Sequence, residues 1–287
     1  MNKQIKAGLL ANAASLGIHW IYNYKFLNEL SLNESLLFRI QDPLLYRKAK
    51  PSYFSYPNQK LGDVSVQGDM LKWLYEALKN NNDYQVKQYE NMLFKQFMPG
   101  GSYQGYVETY AKKQVIQTLS KQVNIKLDPI EKNDDHLVGF MPYLAVKALN
   151  LNTLKAWELT QLYTLDETYL SLFKMFDVLI DHLKTHSKKD ALNIAIKHAP
   201  KAYVKILNEA LIEENTNDFI DLYAGRACSI DQSIPVIFHV FAKYDSFEEA
   251  IKENAKIGGA IADRATVLGY LLSIIYEVPD TWYNKLK

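Results

Sequence analysis

Cysteine is almost absent from this chain: Cys228 is the only one in 287 residues, so no internal disulfide can form. That fits a reducing compartment, and a lone thiol reads as a small buried hydrophobe. Glycine and proline are scarce as well, with 12 and 9 residues. Few turn-makers remain for a fold of many short strands, and long helices are favoured. Long hydrophobic runs are missing, since nothing approaches the roughly 18 consecutive apolar residues of a membrane span. Charge of one sign is missing too: 33 Lys and Arg stand against 32 Asp and Glu, a formal net charge of +1. No basic block or aromatic-basic stripe is present to track a phosphate backbone, which argues against nucleic acid as a partner. Gly-rich phosphate loops, internal repeats, low-complexity tracts and linkers are also lacking.

What is present is helical periodicity in a chain that is 48% hydrophobic and 23% charged, ordinary for a globular protein long enough to bury a sizeable core. Residues 70–78 place Met70, Leu71, Leu74, Ala77 and Leu78 on one face, the spacing of an amphipathic helix. Helices are expected also over 84–97, 103–119, 137–149, 154–163, 167–186, 188–198 and 203–212. Segments 234–241 and 260–276 are apolar nearly all round, as central buried helices are. Residues 230–233, just ahead of Pro235, form a capping-type start. Residues 7–17 follow Lys3 and Lys6 in a leader-like order, but Asn12 interrupts the apolar stretch and amphipathic sequence follows, so they read as the first helix. The main non-helical stretch is 41–63, with Pro43, Pro51, Pro57 and the aromatics Tyr46, Tyr53, Phe54 and Tyr56. A loop this long is usually functional or disordered, and its aromatic content argues against disorder. The expectation is one all-α domain over 1–287, in the cytoplasm.

Five segments carry more specific information. The first is residues 7–22, ending Gly17-Ile18-His19-Trp20-Ile21-Tyr22. The second is Gly62-Asp63-Val64-Ser65-Val66-Gln67-Gly68-Asp69-Met70, and the third is Gln104-Gly105-Tyr106-Val107-Glu108-Thr109. The fourth is Asn133-Asp134-Asp135-His136 ahead of Phe140-Met141-Pro142-Tyr143. The fifth runs from Ser246-Phe247-Glu248-Glu249-Ala250 through the Gly258-Gly259 corner, Ala260-Ile261-Ala262-Asp263 and an apolar run to Val278-Pro279-Asp280-Thr281-Trp282. In this order they resemble the signature of the ADP-ribosylglycohydrolase superfamily, and the first is similar to its J-crystallin branch. The resemblance implies a single-domain, all-α helical bundle. It also implies two Mg²⁺ ions held between the family's TDDT and GGDTDT segments, activating water to cleave the glycosidic bond to ADP-ribose. Hard divalent ions require oxygen ligands, chiefly carboxylates.

The chain departs from that pattern where the metal chemistry lies. Val66-Gln67-Gly68-Asp69 stands at TDDT, and Ala260-Ile261-Ala262-Asp263 at the acidic half of GGDTDT, so four carboxylates become two. Two Mg²⁺ ions would be half-neutralised, and uncompensated charge away from water costs roughly several kcal/mol per ion. At most one Mg²⁺ is expected, on Asp69 and Asp263 with help from Gln67, or none. The plainer alternative makes both acids helix-start residues, each favoured by the dipole by about 0.3–1 kcal/mol.

The resemblance places Asp134 and Asp135 against the ligand, as a metal ligand or a base for the attacking water, whereas residue chemistry alone allows them to be N-cap acids. The family's nearby arginine is Gly139 here, so no cation offsets them. His19 and Trp20 are pocket candidates, Trp20 as a stacking platform, with core packing as the alternative. Tyr106, Glu108, Gly258 and Gly259 complete the ligand-binding candidates, the glycines because they let backbones approach closely. His182 and His186 have zinc-compatible spacing but lack a glutamate between them and sit among lysines, as on a solvated face. The expected function is hydrolysis of an N- or O-glycosidic bond to ADP-ribose or a related ribosyl compound, small or protein-linked, at an atypical metal-poor site. The alternative is a catalytically silent pseudoenzyme that binds a nucleotide-like ligand or plays a structural, crystallin-like role.

Overall fold

Asn2 opens the first helix, Lys3–Ser15, by accepting from the backbone N–H groups of Gln4 and Ile5. Such a cap satisfies donors that a helix start leaves orphaned. The computed structural model of the protein describes residues 1–286; Lys287, the last residue of the expected domain, lies outside the described residues. Among the described residues no strand forms, and pairing is limited to the isolated bridges Ile21–Ser52, Asn133–Thr164 and His136–Ser229. The architecture is all-α. No described helix is long and apolar enough to cross a membrane.

The fold is organised around the Lys3–Ser15 helix packed along Ile261–Ile275, both buried over most of their length. Small residues allow that approach. A Cβ added to Gly8 would sit 2.8 Å from the Thr266 carbonyl oxygen, and one on Gly269 would sit 2.6 Å from the Ala11 Cβ. Asn12 pins the crossing from inside, donating to Thr266 Oγ1 (2.9 Å) and to the Ala262 carbonyl (3.2 Å). Helices Val66–Asn80 and Phe140–Ala148 pack against one another and against the first helix. Thr153–Thr160, Thr168–His182, Lys188–Ile196 and Lys201–Ile212 follow as successive neighbours, leading to Ile230–Lys243 against Ile261–Ile275. One hydrophobic cluster extends from Ile5 to Trp282.

Several boundaries differ from the periodicity reading, for identifiable reasons. The 41–63 stretch contains a short helix, Pro43–Lys48, with Pro43 at its first position and the Asp42 side chain accepting from Leu44 N–H. The stretch was expected to be non-helical, yet proline is well tolerated at a helix start. The remainder is tied by two buried amides: Gln41 bonds the Leu16 carbonyl and the Tyr56 N–H, while Gln59 bonds the Gln41 N–H and the Arg39 carbonyl. The expected helix at 103–119 begins only at Thr109. Ahead of it the Tyr103 ring folds back over Gly105, and its hydroxyl donates to the Tyr106 carbonyl at 3.1 Å. Residues 230–233 are the first turn of Ile230–Lys243 itself, with Ser229 at the cap position and Pro235 inside the helix.

Candidate functional site

The second and fifth motif segments meet in space. Ser65, the N-cap of Val66–Asn80, sits where the start of that helix faces the first turn of Ile261–Ile275. Its hydroxyl accepts from Asn12 Nδ2 (2.8 Å) and donates to Asp263 Oδ1 (3.0 Å), while its N–H donates to Asn12 Oδ1 (2.7 Å). Gln67, two residues on, donates through Nε2 to Asp263 Oδ2 at 3.0 Å. Both carboxyl oxygens of Asp263 are therefore occupied by protein donors, and the residue is 1% exposed. Burial pushes its carboxyl up to about 7, against the pull of the Ser65 hydrogen bond and the Arg264 charge.

His19 approaches Asp263 from the other side. Its Nδ1 accepts the Ala262 N–H at 3.1 Å, so the neutral ring carries its proton on Nε2, 3.6 Å from Asp263 Oδ2. Complete burial, reinforced by the Arg264 charge, drives the imidazole down to about 3. The contact is thus between a neutral imidazole and a carboxyl group, and is not an ion pair. Arg264 is itself fully buried and held by the Gly258 carbonyl (2.5 Å) and Asn254 Oδ1 (3.1 Å).

Glu108 also belongs to this cluster. Burial raises its carboxyl well above the usual range, with Asp263 and then Asp134 adding repulsion and a hydrogen bond to Gln67 opposing. Two acids facing one another away from water cannot both ionise cheaply. Among the described residues, His19 Nε2, Gln67 Oε1 and Glu108 Oε1 are buried polar atoms with no conventional partner.

Aromatic rings close this cluster off. Trp20 stacks on His19 with centroids 4.5 Å apart, Tyr106 meets the Trp20 edge at 5.2 Å, and Tyr56 lies 5.9 Å from Tyr106. Tyr56, Leu16 and Ala262 form a small apolar core of their own, packed by Trp20 and Tyr106. Trp20 holds φ +66°, in the left-handed region that bulky residues avoid at a cost of about 1–3 kcal/mol. Hydrogen bonds from its N–H to the Gly259 carbonyl and from Tyr53 N–H to its own carbonyl fix it there.

Outside the aromatic cap lies an open cleft of about 850 Å³, with Trp73, Tyr103, Tyr106, Asp63 and Asp69 among its lining residues. Asp69 belongs to this cleft. It is two residues from Gln67, and such residues lie on roughly opposite sides of a helix. Burial raises the Asp69 carboxyl to about 6, with Lys72 opposing and Asp63 assisting. Gln67 and Asp263 are thus direct neighbours, while Asp69 stands among Asp63, Lys72 and Tyr103. Among the described residues no group of three or more His, Cys, Asp or Glu side chains is placed to hold a metal ion.

The remaining candidates fall on the margins. Asp134 accepts from the His136 N–H at 3.0 Å and is close enough to Glu108 to raise its carboxyl, whereas Asp135 is mostly exposed beside His136. Gly258 and Gly259 have φ of +86° and +74°. Gly259 exchanges hydrogen bonds with the 20–21 segment, and a Cβ there would lie 1.9 Å from the Arg226 carbonyl oxygen. The pair forms the corner that presents Trp20 and Asp263. Cys228 has the Tyr22 hydroxyl 3.9 Å away, and burial pushes its thiol up to about 12. Ser65, Asn12, Tyr56, Trp73 and Tyr103 were not foreseen as site residues.

Helix order, the Gly-Gly corner and the meeting of the two motif segments define an ADP-ribosylglycohydrolase-type helical fold. The chain is similar to a solved structure described as an ADP-ribosylglycohydrolase-related protein complex, with a TM-score of 0.58 and 11% identity, over 100% of this chain and 92% of that one. It is also similar to Crystallin J1A of Tripedalia cystophora, 19% identical across 98% of this chain and 90% of that protein. No family model matches the sequence. The resemblance carried by the five segments is supported by both likenesses.

Proposed function

We propose that the protein is an ADP-ribosylglycohydrolase-like ligand-binding protein. It takes a ribosyl or nucleotide-like small molecule in the Asp69 cleft and does not run two-magnesium hydrolysis at Asp263. The observation that carries this reading is the closure of Asp263. Its oxygens are bonded to Ser65 and Gln67, its neighbours are neutral His19 and buried Glu108, and Tyr56, Trp20 and Tyr106 pack over it.

A pair of Mg²⁺ ions does not fit this donor set. Each would need several oxygen ligands near 2.0–2.1 Å and room for waters, in the geometry magnesium demands. Here the Ala262 methyl and the aromatic rings fill the space beside the one remaining acid of that motif, and Asp69 faces elsewhere.

A second reading, slow hydrolysis without a metal, draws on Asp69, whose carboxyl is raised to about 6 inside an open cleft. That is a suitable value for a general acid protonating a glycosidic leaving group. Calorimetry with Mg²⁺ and, separately, ADP-ribose, together with product analysis on ADP-ribosylated substrates, tests both. Ligand uptake with no Mg²⁺ heat and no product supports the binding protein. Mg²⁺-dependent product release that Asp263→Ala abolishes would overturn it.

A further inference from the structure

The wall of the Asp69 cleft says which ligands it can hold. Trp73, Tyr103 and Tyr106 supply ring surface, Trp73 and Tyr103 meeting edge to face, and Tyr103 is braced by its hydrogen bond to the Tyr106 carbonyl. Asp63 and Asp69 supply carboxylate acceptors, with Asp63 Oδ2 also taking the Lys60 N–H at 2.7 Å. Side-chain amides, Gln96 and Gln104 among them, also line it. Lys60 is the single cationic side chain among the described lining residues; no arginine or histidine lines the cleft. Lys72 stands beside Asp69 but outside the lining. The nearest helix start cannot serve an anion, because Ser65 already caps it and directs its hydroxyl proton to Asp263.

Diphosphate recognition relies on arginine forks, lysines or a nest of free N–H groups. Here Lys60 stands alone in the lining, with Lys112 over the Tyr106 ring at 5.3 Å, and neither an arginine fork nor a set of converging lysines is assembled. Carboxylates and amides are the acceptors and donors that vicinal hydroxyls require, and the rings are stacking surfaces for a planar base. A volume of about 850 Å³ is ample for a base and one sugar.

We infer that the cleft binds a phosphate-free N-riboside, a base with one unphosphorylated ribose, and discriminates against its phosphorylated forms. The base lies on the Trp73, Tyr103 and Tyr106 wall, and the ribose diol faces Asp69 and Asp63. This rests on the cleft being the ligand site, as proposed above, and adds the charge class of the ligand.

The test is a calorimetric series of adenosine, AMP and ADP-ribose at about pH 7.5 and low salt, on the full chain, with Tyr106→Ala and Asp69→Lys variants checked for folding by thermal melting. Adenosine should bind at least roughly ten-fold more tightly than AMP or ADP-ribose, because each added phosphate charge meets the carboxylates. Asp69→Lys should reverse that order, which a merely structural Asp69 would not do. Asp69→Asn, close in shape, should narrow the gap even if the lysine variant does not fold. ADP-ribose binding more tightly than adenosine, and lost in Tyr106→Ala, would overturn this inference while leaving the cleft as the ligand site. Binding of none of the three, or binding unaffected by Tyr106→Ala, would overturn the cleft reading and this inference with it.

Discussion

Replacing Asp263 with asparagine should change the pH dependence of stability in a defined direction. The wild-type carboxyl is raised from 3.8 to about 7, chiefly by burial. Between those values the folded protein holds a proton that the unfolded chain has released. Stability from this group is therefore greatest below about pH 4, falls as pH rises toward 7, and is flat above. One extra bound proton corresponds to about 1.4 kcal/mol per pH unit. Asparagine does not titrate, so the stability of wild type relative to Asp263→Asn should fall by roughly 2–3 kcal/mol from about pH 5 to about pH 8. The substitution is sterically mild. A flip of the Gln67 amide would let its carbonyl oxygen accept from the introduced amide and its NH₂ donate toward Glu108, whose burden of repulsion is reduced at the same time. Urea unfolding followed by circular dichroism at the two pH values measures the difference. A gap that does not change with pH, or a wild type that gains on the variant as pH rises, would refute the reasoning. So would a wild-type pH dependence that millimolar Mg²⁺ abolishes, since that would mean a cation stabilises the Asp263 anion.

Other expectations follow from single contacts. Gly8→Ala should destabilise by about 1–3 kcal/mol in denaturant titration, because its methyl would press the Thr266 carbonyl 2.8 Å away. Asn12→Ala should lose at least about 2 kcal/mol by the same measurement, leaving the buried Ser65 N–H without its acceptor. Gly259→Ala should cost more than about 3 kcal/mol and be visible as lost soluble expression, since φ +74° and a 1.9 Å approach to the Arg226 carbonyl act together. Calorimetric titration of the wild type with Mg²⁺ should give no heat of specific binding, and Asp69→Ala should leave that result unchanged.

Much of the helical order was open to reading from periodicity, because a 3.6-residue apolar repeat needs only local spacing. The segments 260–276 and 234–241 were recognisable as central from their lack of a polar face, and their helices, Ile261–Ile275 and Ile230–Lys243, are buried through much of their length. Boundaries at 103–108 and 43–48 were not legible, since one depends on a tyrosine folding over Gly105 and the other on how Asp42-Pro43 is used. At the site, Asp263, Gln67, His19 and Glu108 were singled out by motif position. Their mutual contacts join residues from opposite ends of the chain, His19 to Asp263 for one, which no spacing rule reaches.

The amino-acid sequence by itself determined the helical class, the order of the motif segments and the loss of the paired aspartates, because these are properties of residue type and local period. Only the tertiary structure decided that Gln67 turns inward to Asp263 while Asp69 turns outward to a cleft. A helix separates residues two apart onto opposite sides, and which side meets the core is set by how Lys3–Ser15, Val66–Asn80 and Ile261–Ile275 pack together. The same packing sets the two acids' proton affinities, through burial that no sequence position carries on its own.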